Sequence, residues 1–169
     1  MTIVEFIEAR LAEDEEIAQS AIDPERPGTH WCWEDGERNP LQPGVEVEGL
    51  DTQAISLRTV EEYPTRHVGP LPAFIIGQVE ARQQGGLWHI ARHDPARVLE
   101  EVKAKRDILA VAAWAEKIAD INEPVDFERP EEIHSSGYRL GQWHGYKAVL
   151  HALAAPYSQH PDYQQEWAA

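Results

Sequence analysis

His93-Asp94-Pro95-Ala96-Arg97-Val98-Leu99, continuing through Glu101-Val102 and Ala104-Lys105-Arg106 to Ile108-Leu109, is the stretch on which the fold turns. Asp94 offers the short carboxylate of an N-cap, and Pro95 stands at the first helical position, where a missing amide hydrogen costs nothing. Val98, Leu99, Val102, Ile108, Leu109, Ala112, Ala115 and Ile118 recur at helical spacing, with Glu101 one turn before Lys105. The spacing predicts a helix from Pro95 to about Asp120.

Upstream of that helix the residues have strand character. Val45–Glu48, Ala54–Val60, Ala73–Val79 and Leu87–Ala91 read as strands, and Ile55, Leu57 and Thr59 alternate as on a half-buried one. Phe74-Ile75-Ile76 is a short apolar run expected near the middle of the sheet. Gln83-Gln84-Gly85-Gly86 reads as a hairpin turn between the last two strands. Pro64, Pro70 and Pro72 confine the stretch around them to loop or sheet edge, because proline cannot donate a ladder hydrogen bond. Within the Pro- and Gly-rich segment 23–43, His30-Trp31-Cys32-Trp33 is a short strand with both tryptophans on one face. Such a pair can form a ligand platform, but anchoring the loop onto the core is the reading preferred here.

The two ends are helical. Thr2-Ile3-Val4-Glu5 forms a capping box, and Ile3, Ile7, Leu11, Ile17, Ala18 and Ile22 predict a first helix to about Ser20, before Asp23-Pro24. Downstream, residues 122–137 read as an irregular acidic connector. A last helix is expected over Tyr138–Ala154, with Trp143, Tyr146, Leu150 and Leu153 on its buried side, ended by Pro156. The expected fold is therefore α+β: an N-terminal helix, a small, mostly antiparallel sheet of three to four strands, a long central helix, and a C-terminal helix with an ordered tail. Residues 1–169 are read as a single domain.

Charge narrows the function classes. The chain has 30 acidic and 15 basic side chains, a formal net charge of -15. Residues 1–62 carry a net -12, with sixteen acids and four arginines, and the remainder carries -3. Such a surface repels nucleic acid and anionic membranes, so direct binding to either is not expected. It can attract a basic partner or imitate a nucleic-acid backbone, although a solvated helix face with acidic loops is the plainer reading. Arg92, Arg97, Lys103, Lys105 and Arg106 cluster near the start of the long helix, but against -15 they would hold phosphate weakly. A hydrophobic share of 42% marks a folded chain, and the apolar run around Ala110–Ala115 is far too short to span a membrane. The N-terminus begins directly with a helix bearing Glu13-Asp14-Glu15-Glu16 and resembles neither a signal nor a transit peptide. A cytoplasmic location is the expectation.

Reactive chemistry is confined to a few residues. Cys32 is the single cysteine, so one chain has no internal disulfide and no all-cysteine zinc site. His30 stands two residues before it on the same strand face, but an inert, buried thiol is the expected reading. No Gly-x-Ser-x-Gly elbow, Walker loop or dinucleotide fingerprint occurs, and no catalytic residue is assigned. The candidate metal ligands, for zinc or another divalent ion, are His89, His93, His144, His151 and His160. His89 and His93 flank the end of a strand in this reading, and Glu131-x-x-His134 is half of a di-iron pattern without its second copy. Structural or solvated histidines are the default, with no cofactor.

Two blocks resemble a family. The first is the stretch quoted above, extended upstream to His89-Ile90-Ala91-Arg92. The second is Leu153-Ala154 with Pro156-Tyr157, His160-Pro161-Asp162-Tyr163 and Glu166-Trp167. Together with the capped first helix they are similar to small acidic proteins of unknown function found in actinobacteria and their phages. Many relatives carry cysteines before the last helix, which implies a structural zinc there; His134-Ser135-Ser136-Gly137 to Trp143-His144-Gly145 has none. The two blocks are expected to form one corner, with Arg92, Asp94, Arg97 and Asp162 pairing charges and Tyr163 and Trp167 packing. The resemblance supplies no activity. The preferred function is a non-enzymatic accessory protein acting through protein–protein contact, phage-borne or as a homo-oligomer. The alternatives are a histidine-based metal-dependent hydrolase and a nucleic-acid mimic.

Overall fold

The computed structural model describes residues 1–35, 37–42, 54–65, 68–80, 84–118 and 129–168. In chain order the elements are α1 (Ile3–Ser20), β1 (Trp31–Glu34), β2 (Ala54–Tyr63), β3 (Leu71–Glu80), α2 (Gln84–Arg92), α3 (Pro95–Ile118) and α4 (Pro130–Ala154). Two 3₁₀ turns, Ala155–Tyr157 and Gln165–Trp167, follow. The architecture is α+β. The strand expected at Val45–Glu48 lies outside the described residues.

The chain divides into two compact units, one of Met1–Asp14 with Glu101–Ala169 and one of Glu15–Glu100. In the first, the capping box forms: the Thr2 amide donates to Glu5 Oε2 at 2.7 Å and the Glu5 amide to Thr2 Oγ1 at 3.2 Å. The backbone bond from Thr2 holds the exposed Glu5 carboxyl below the usual range. Phe6, Ile7 and Leu11 are fully buried on one side of α1, whereas Ile17, expected inside, is exposed. Val102, Leu109, Ala112 and Ala115 form the buried stripe of α3, joined by Leu150 and Ala154 of α4. Ile108, assigned to that stripe from its spacing, lies outside it.

The last helix starts at Pro130, eight residues before the expected Tyr138. Proline at the first helical position costs nothing, and a long helix tolerates Ser135, Ser136 and Gly137 at about 1 kcal/mol or less each. The weak helix formers suggested a connector; the length of the surrounding helix overrides them.

The second unit is built on an antiparallel sheet in the order β1-β2-β3. Ile55, Leu57 and Thr59 of β2 are buried, so the alternation expected there is present. Trp31 pairs with Thr59 and Trp33 with Leu57. Phe74-Ile75-Ile76 is not central: β3 lies at the edge of the described sheet, which is also where Pro72 is tolerated. Leu57 faces Ile76 while Arg58 faces Phe74, so at this point, one of three register shifts between the strands, Ile75 is the extra residue of a bulge in β3. Ile75 packs on the core and Phe74 and Ile76 point outward.

Leu87–Ala91 is not a strand, and Gln84-Gly85-Gly86 of the expected hairpin turn open a helix, Gln83 lying outside the described residues. The segment is the helix α2, Gln84–Arg92. A five-residue apolar run fits either type, but Leu87, Trp88 and Ala91 fall on one helical face and pack on the cluster of Trp33, Leu41, Ile55 and Leu57. Ile90 sits on the other, exposed face. Gly28 is fixed by close approach, since a Cβ there would stand 2.3 Å from Thr59 Cγ2 and 2.7 Å from Tyr63 Oη.

Candidate functional site

A cleft of about 610 Å³ opens in the second unit along β1 and α2. β1 supplies Trp31, Cys32 and Trp33, and Leu41 follows from the next segment. Trp88, His89, Ala91 and Arg92 come from α2, His93 from the turn after it, and Arg97 from the first turn of α3. Its apolar lining is continuous with the core through Trp33, Leu41 and Leu87.

The local sequence explains why these groups converge. Trp33 Nε1 donates to the Leu87 carbonyl oxygen at 2.6 Å, which locks α2 against β1. Asp94 acts as the N-cap of α3, accepting from the Arg97 amide at 2.9 Å through Oδ1. Its other oxygen accepts from the Trp31 amide at 3.3 Å, and the Ala96 amide donates to the Thr29 carbonyl at 3.1 Å. One carboxylate thus starts the long helix and ties it to the strand carrying both tryptophans. Trp33 is the anchor; Trp31 is only partly buried, and its indole N–H has no acceptor among the described residues.

His89 and His93 meet. Their rings lie 4.5 Å apart at 53°, because α2 is helical and the His93 amide still bonds the His89 carbonyl at 3.2 Å. The expected strand-to-loop path would have separated them. Burial pushes the Cys32 thiol up, as do Glu34 and Glu61 against the opposing pull of Arg58, so it stays protonated and a poor nucleophile. On the Cys32 side of β1, Arg58 Nε stands 2.7 Å from Glu34 Oε2, both side chains deeply buried.

A second polar centre involves Glu61. Oε1 of this residue accepts from His30 Nδ1 at 2.9 Å and from the Thr29 and His30 amides at 3.3 Å. Burial acts to raise the Glu61 pKa, but these hydrogen bonds outweigh it and hold the carboxyl low. The same hydrogen bond raises the pKa of His30.

In the first unit the tail closes on α1. The Phe6 ring is met by Trp167 at 5.0 Å, His160 at 5.8 Å, Tyr163 at 5.9 Å and Tyr157 at 6.3 Å. Tyr163 and Trp167 stand edge to face at 5.7 Å. Buried Arg10 lies over Phe6, donates to Glu13 Oε1 at 2.7 Å and sets its other terminal nitrogen against the ring nitrogens of His160. Tyr157 Oη donates to Asp14 at 2.5 Å, and burial together with that carboxylate pushes its hydroxyl well up. The Asp162 amide bonds His160 Nδ1 at 3.1 Å.

Of the candidate metal ligands, His89 and His93 share the cleft, His144 and His151 lie on α4, and His160 is held on α1. No group of three ligating side chains forms among the described residues. Of the expected corner, Arg92, Asp94 and Arg97 belong to the second unit, and Asp162, Tyr163 and Trp167 to the first. Leu41 and Trp88 were not singled out from the sequence. Trp88 next to His89 was the available signal, hidden once that segment was read as a strand. Among the described residues no helix is long and apolar enough to cross a membrane.

No curated protein and no solved structure matches the chain. The family model DUF6221, described as a family of unknown function, matches residues 1–169, and the chain belongs to that family.

Proposed function

We propose that the protein is a non-catalytic accessory protein that works by protein–protein contact, with a second copy of itself as the partner. The observation that carries this is a row on α3. Ile108, Val111 and Trp114 follow at intervals of three residues and are 37%, 43% and 56% exposed. Residues at that spacing share one helical side, and tryptophan is the side chain most enriched at the centre of binding surfaces. Full burial of Ile108 and Val111 would contribute at most about 1.5–3 kcal/mol each. Self-association of a chain at -15 needs a contact where charge is balanced, and α3 provides it with five basic and four acidic side chains. A two-fold pairing of this row would be self-complementary.

Sedimentation velocity over a range of concentrations tests the reading. A concentration-dependent dimer that Trp114→Glu dissociates is the expected result; a monomer at every concentration sinks it.

A histidine-based metal-dependent hydrolase is the second reading, favoured by the His89–His93 pair. Two imidazoles on one helical face give two of the three protein ligands a catalytic zinc requires. Stoichiometric zinc, iron or manganese in the purified protein, lost in His89→Ala, is what this reading requires.

A further inference from the structure

We propose that the cleft along β1 and α2 binds a planar aromatic or heteroaromatic anion, its ring against the tryptophans and its carboxylate or phosphate on Arg92 beside His89 and His93. The inference does not depend on self-association through α3.

Three properties of the cleft support it. Its volume of about 610 Å³ suits a small organic molecule, for which sites run from about 300 to 1,000 Å³. Three of the six tryptophans of the chain line it, with buried Trp33 in the floor and Trp31 and Trp88 partly exposed above it. Flat indole faces stack on a flat ring at little entropic cost and with little demand on the ring's identity.

The charge of the lining is the second property. The chain has twice as many acidic as basic side chains, yet no lining residue is acidic, and the lining holds two arginines and two histidines. A cationic concavity in an acidic protein selects for an anion, and a guanidinium matches the paired oxygens of a carboxylate or phosphate. Arg92 is exposed in the last turn of α2, where its side chain can reach a ligand without leaving a buried partner.

The third property is the Trp31 indole N–H, buried and without an acceptor among the described residues. Buried donors are nearly always satisfied, and this one, closed to solvent as it stands, would meet a ligand oxygen through a small shift of the Trp31 ring. The floor is also preorganised, because Trp33 is bonded to the Leu87 carbonyl and Asp94 ties β1 to α3.

The test is calorimetric titration of the full chain with adenosine monophosphate and with indole-3-acetate, each beside its uncharged analogue, adenosine or indole-3-acetamide. One-to-one binding of at least one anion is expected, with quenching of tryptophan fluorescence. The matching neutral compound and the Arg92→Gln variant should each bind at least about tenfold more weakly, or about 1.4 kcal/mol. Which anion binds separates a phosphate-bearing ligand from a carboxylate. Arg92 is a surface residue, so unchanged circular dichroism of Arg92→Gln establishes that the variant is folded; Arg92→Lys, which keeps the charge, should recover part of the affinity. Absence of saturable binding by either anion up to millimolar concentration overturns the proposal. Equal binding of anion and neutral analogue, or undiminished binding by folded Arg92→Gln, overturns it as well.

Discussion

The two units of the chain are held by different kinds of force. In Met1–Asp14 with Glu101–Ala169, one phenylalanine gathers four aromatic rings from a tail about 150 residues away, and the polar contacts of Arg10 and Tyr157 surround that packing. In Glu15–Glu100, directional bonds at fixed positions dominate: an indole to a carbonyl, a cap carboxylate to two amides, and a glycine where no Cβ fits. Apolar burial is non-directional and tolerates chemical variation at constant volume, whereas a cap or a close approach fails on a single atom. The first unit should therefore be sensitive to lost volume and the second to small, local chemical changes.

The largest expected effect tests the first half of that contrast. Phe6→Ala removes the ring at the centre of the aromatic cluster and should cost about 3–5 kcal/mol in denaturant unfolding. Hydrogen exchange should show the loss in α1 and the tail before β2. Equal loss of protection in the amides of β2 would break the contrast between the units.

Gly28→Ala comes next. The added methyl would collide with Thr59 and Tyr63, and overpacking of this kind costs about 1–3 kcal/mol. Thr59→Ser removes the nearest clashing atom but leaves Thr59 Cβ at 2.6 Å and Tyr63 Oη at 2.7 Å, so the double variant should recover only part of the loss; a Gly28→Ala protein as stable as the parent would show that the close approach carries no cost. Asp94→Ala should cost about 1 kcal/mol through the lost cap, with faster exchange at the Arg97 and Trp31 amides. Unchanged exchange at the Trp31 amide would remove the tie between β1 and α3.

The smallest effect depends on pH. The folded pKa of His30 is raised by its hydrogen bond to Glu61, so its contribution is complete below the unfolded value near 6.5. That contribution disappears as pH rises through the folded value. Glu61 has a lowered pKa, so its share is present above the unfolded value of 4.5 and is lost on acidification through the folded one. Both conditions hold between about pH 4.5 and 6.5. His30 is well exposed, and His30→Gln should cost only a few tenths of a kcal/mol there and less at pH 8.5. A loss that grows with pH would reverse the assignment.

Local signals were legible where one rule acted alone. The Thr2/Glu5 box and the Asp94-Pro95 start are set by side chains within three residues of the backbone groups they satisfy, and both form. The alternation of Ile55, Leu57 and Thr59 survives because a strand slipped by one residue would expose all three. Misreadings fell where two rules competed. Gly85-Gly86 before a five-residue apolar run argued for a hairpin, but the cluster under Leu87, Trp88 and Ala91 selects a helix. Pro130 to Gly137 argued for a connector, but a proline at the start of a helix breaks nothing.

The cleft shows the same division. The sequence placed Trp31 and Trp33 on one strand face and marked His89, His93, Arg92 and Arg97, yet it read them as an anchor, a metal candidate set and a charged corner. Folding α2 as a helix brought His89 against His93 and set Trp88 and Arg92 in the same cleft as Trp31.

By itself the sequence determined the fold class, the starts of α1 and α3 and the phase of β2, because those depend on residues a few positions apart. Its acidity of -15, concentrated in the first 62 residues, is equally a property of composition. Only the tertiary structure decided that α2 is a helix, that β3 lies at the edge of the described sheet with an outward Phe74, and that Phe6 receives the tail. Only it gathered two arginines, two histidines and three tryptophans into one concavity of an acidic chain. The physical reason is range: capping and alternation act within a turn or a pleat, whereas burial is settled by whichever distant surface arrives to cover it.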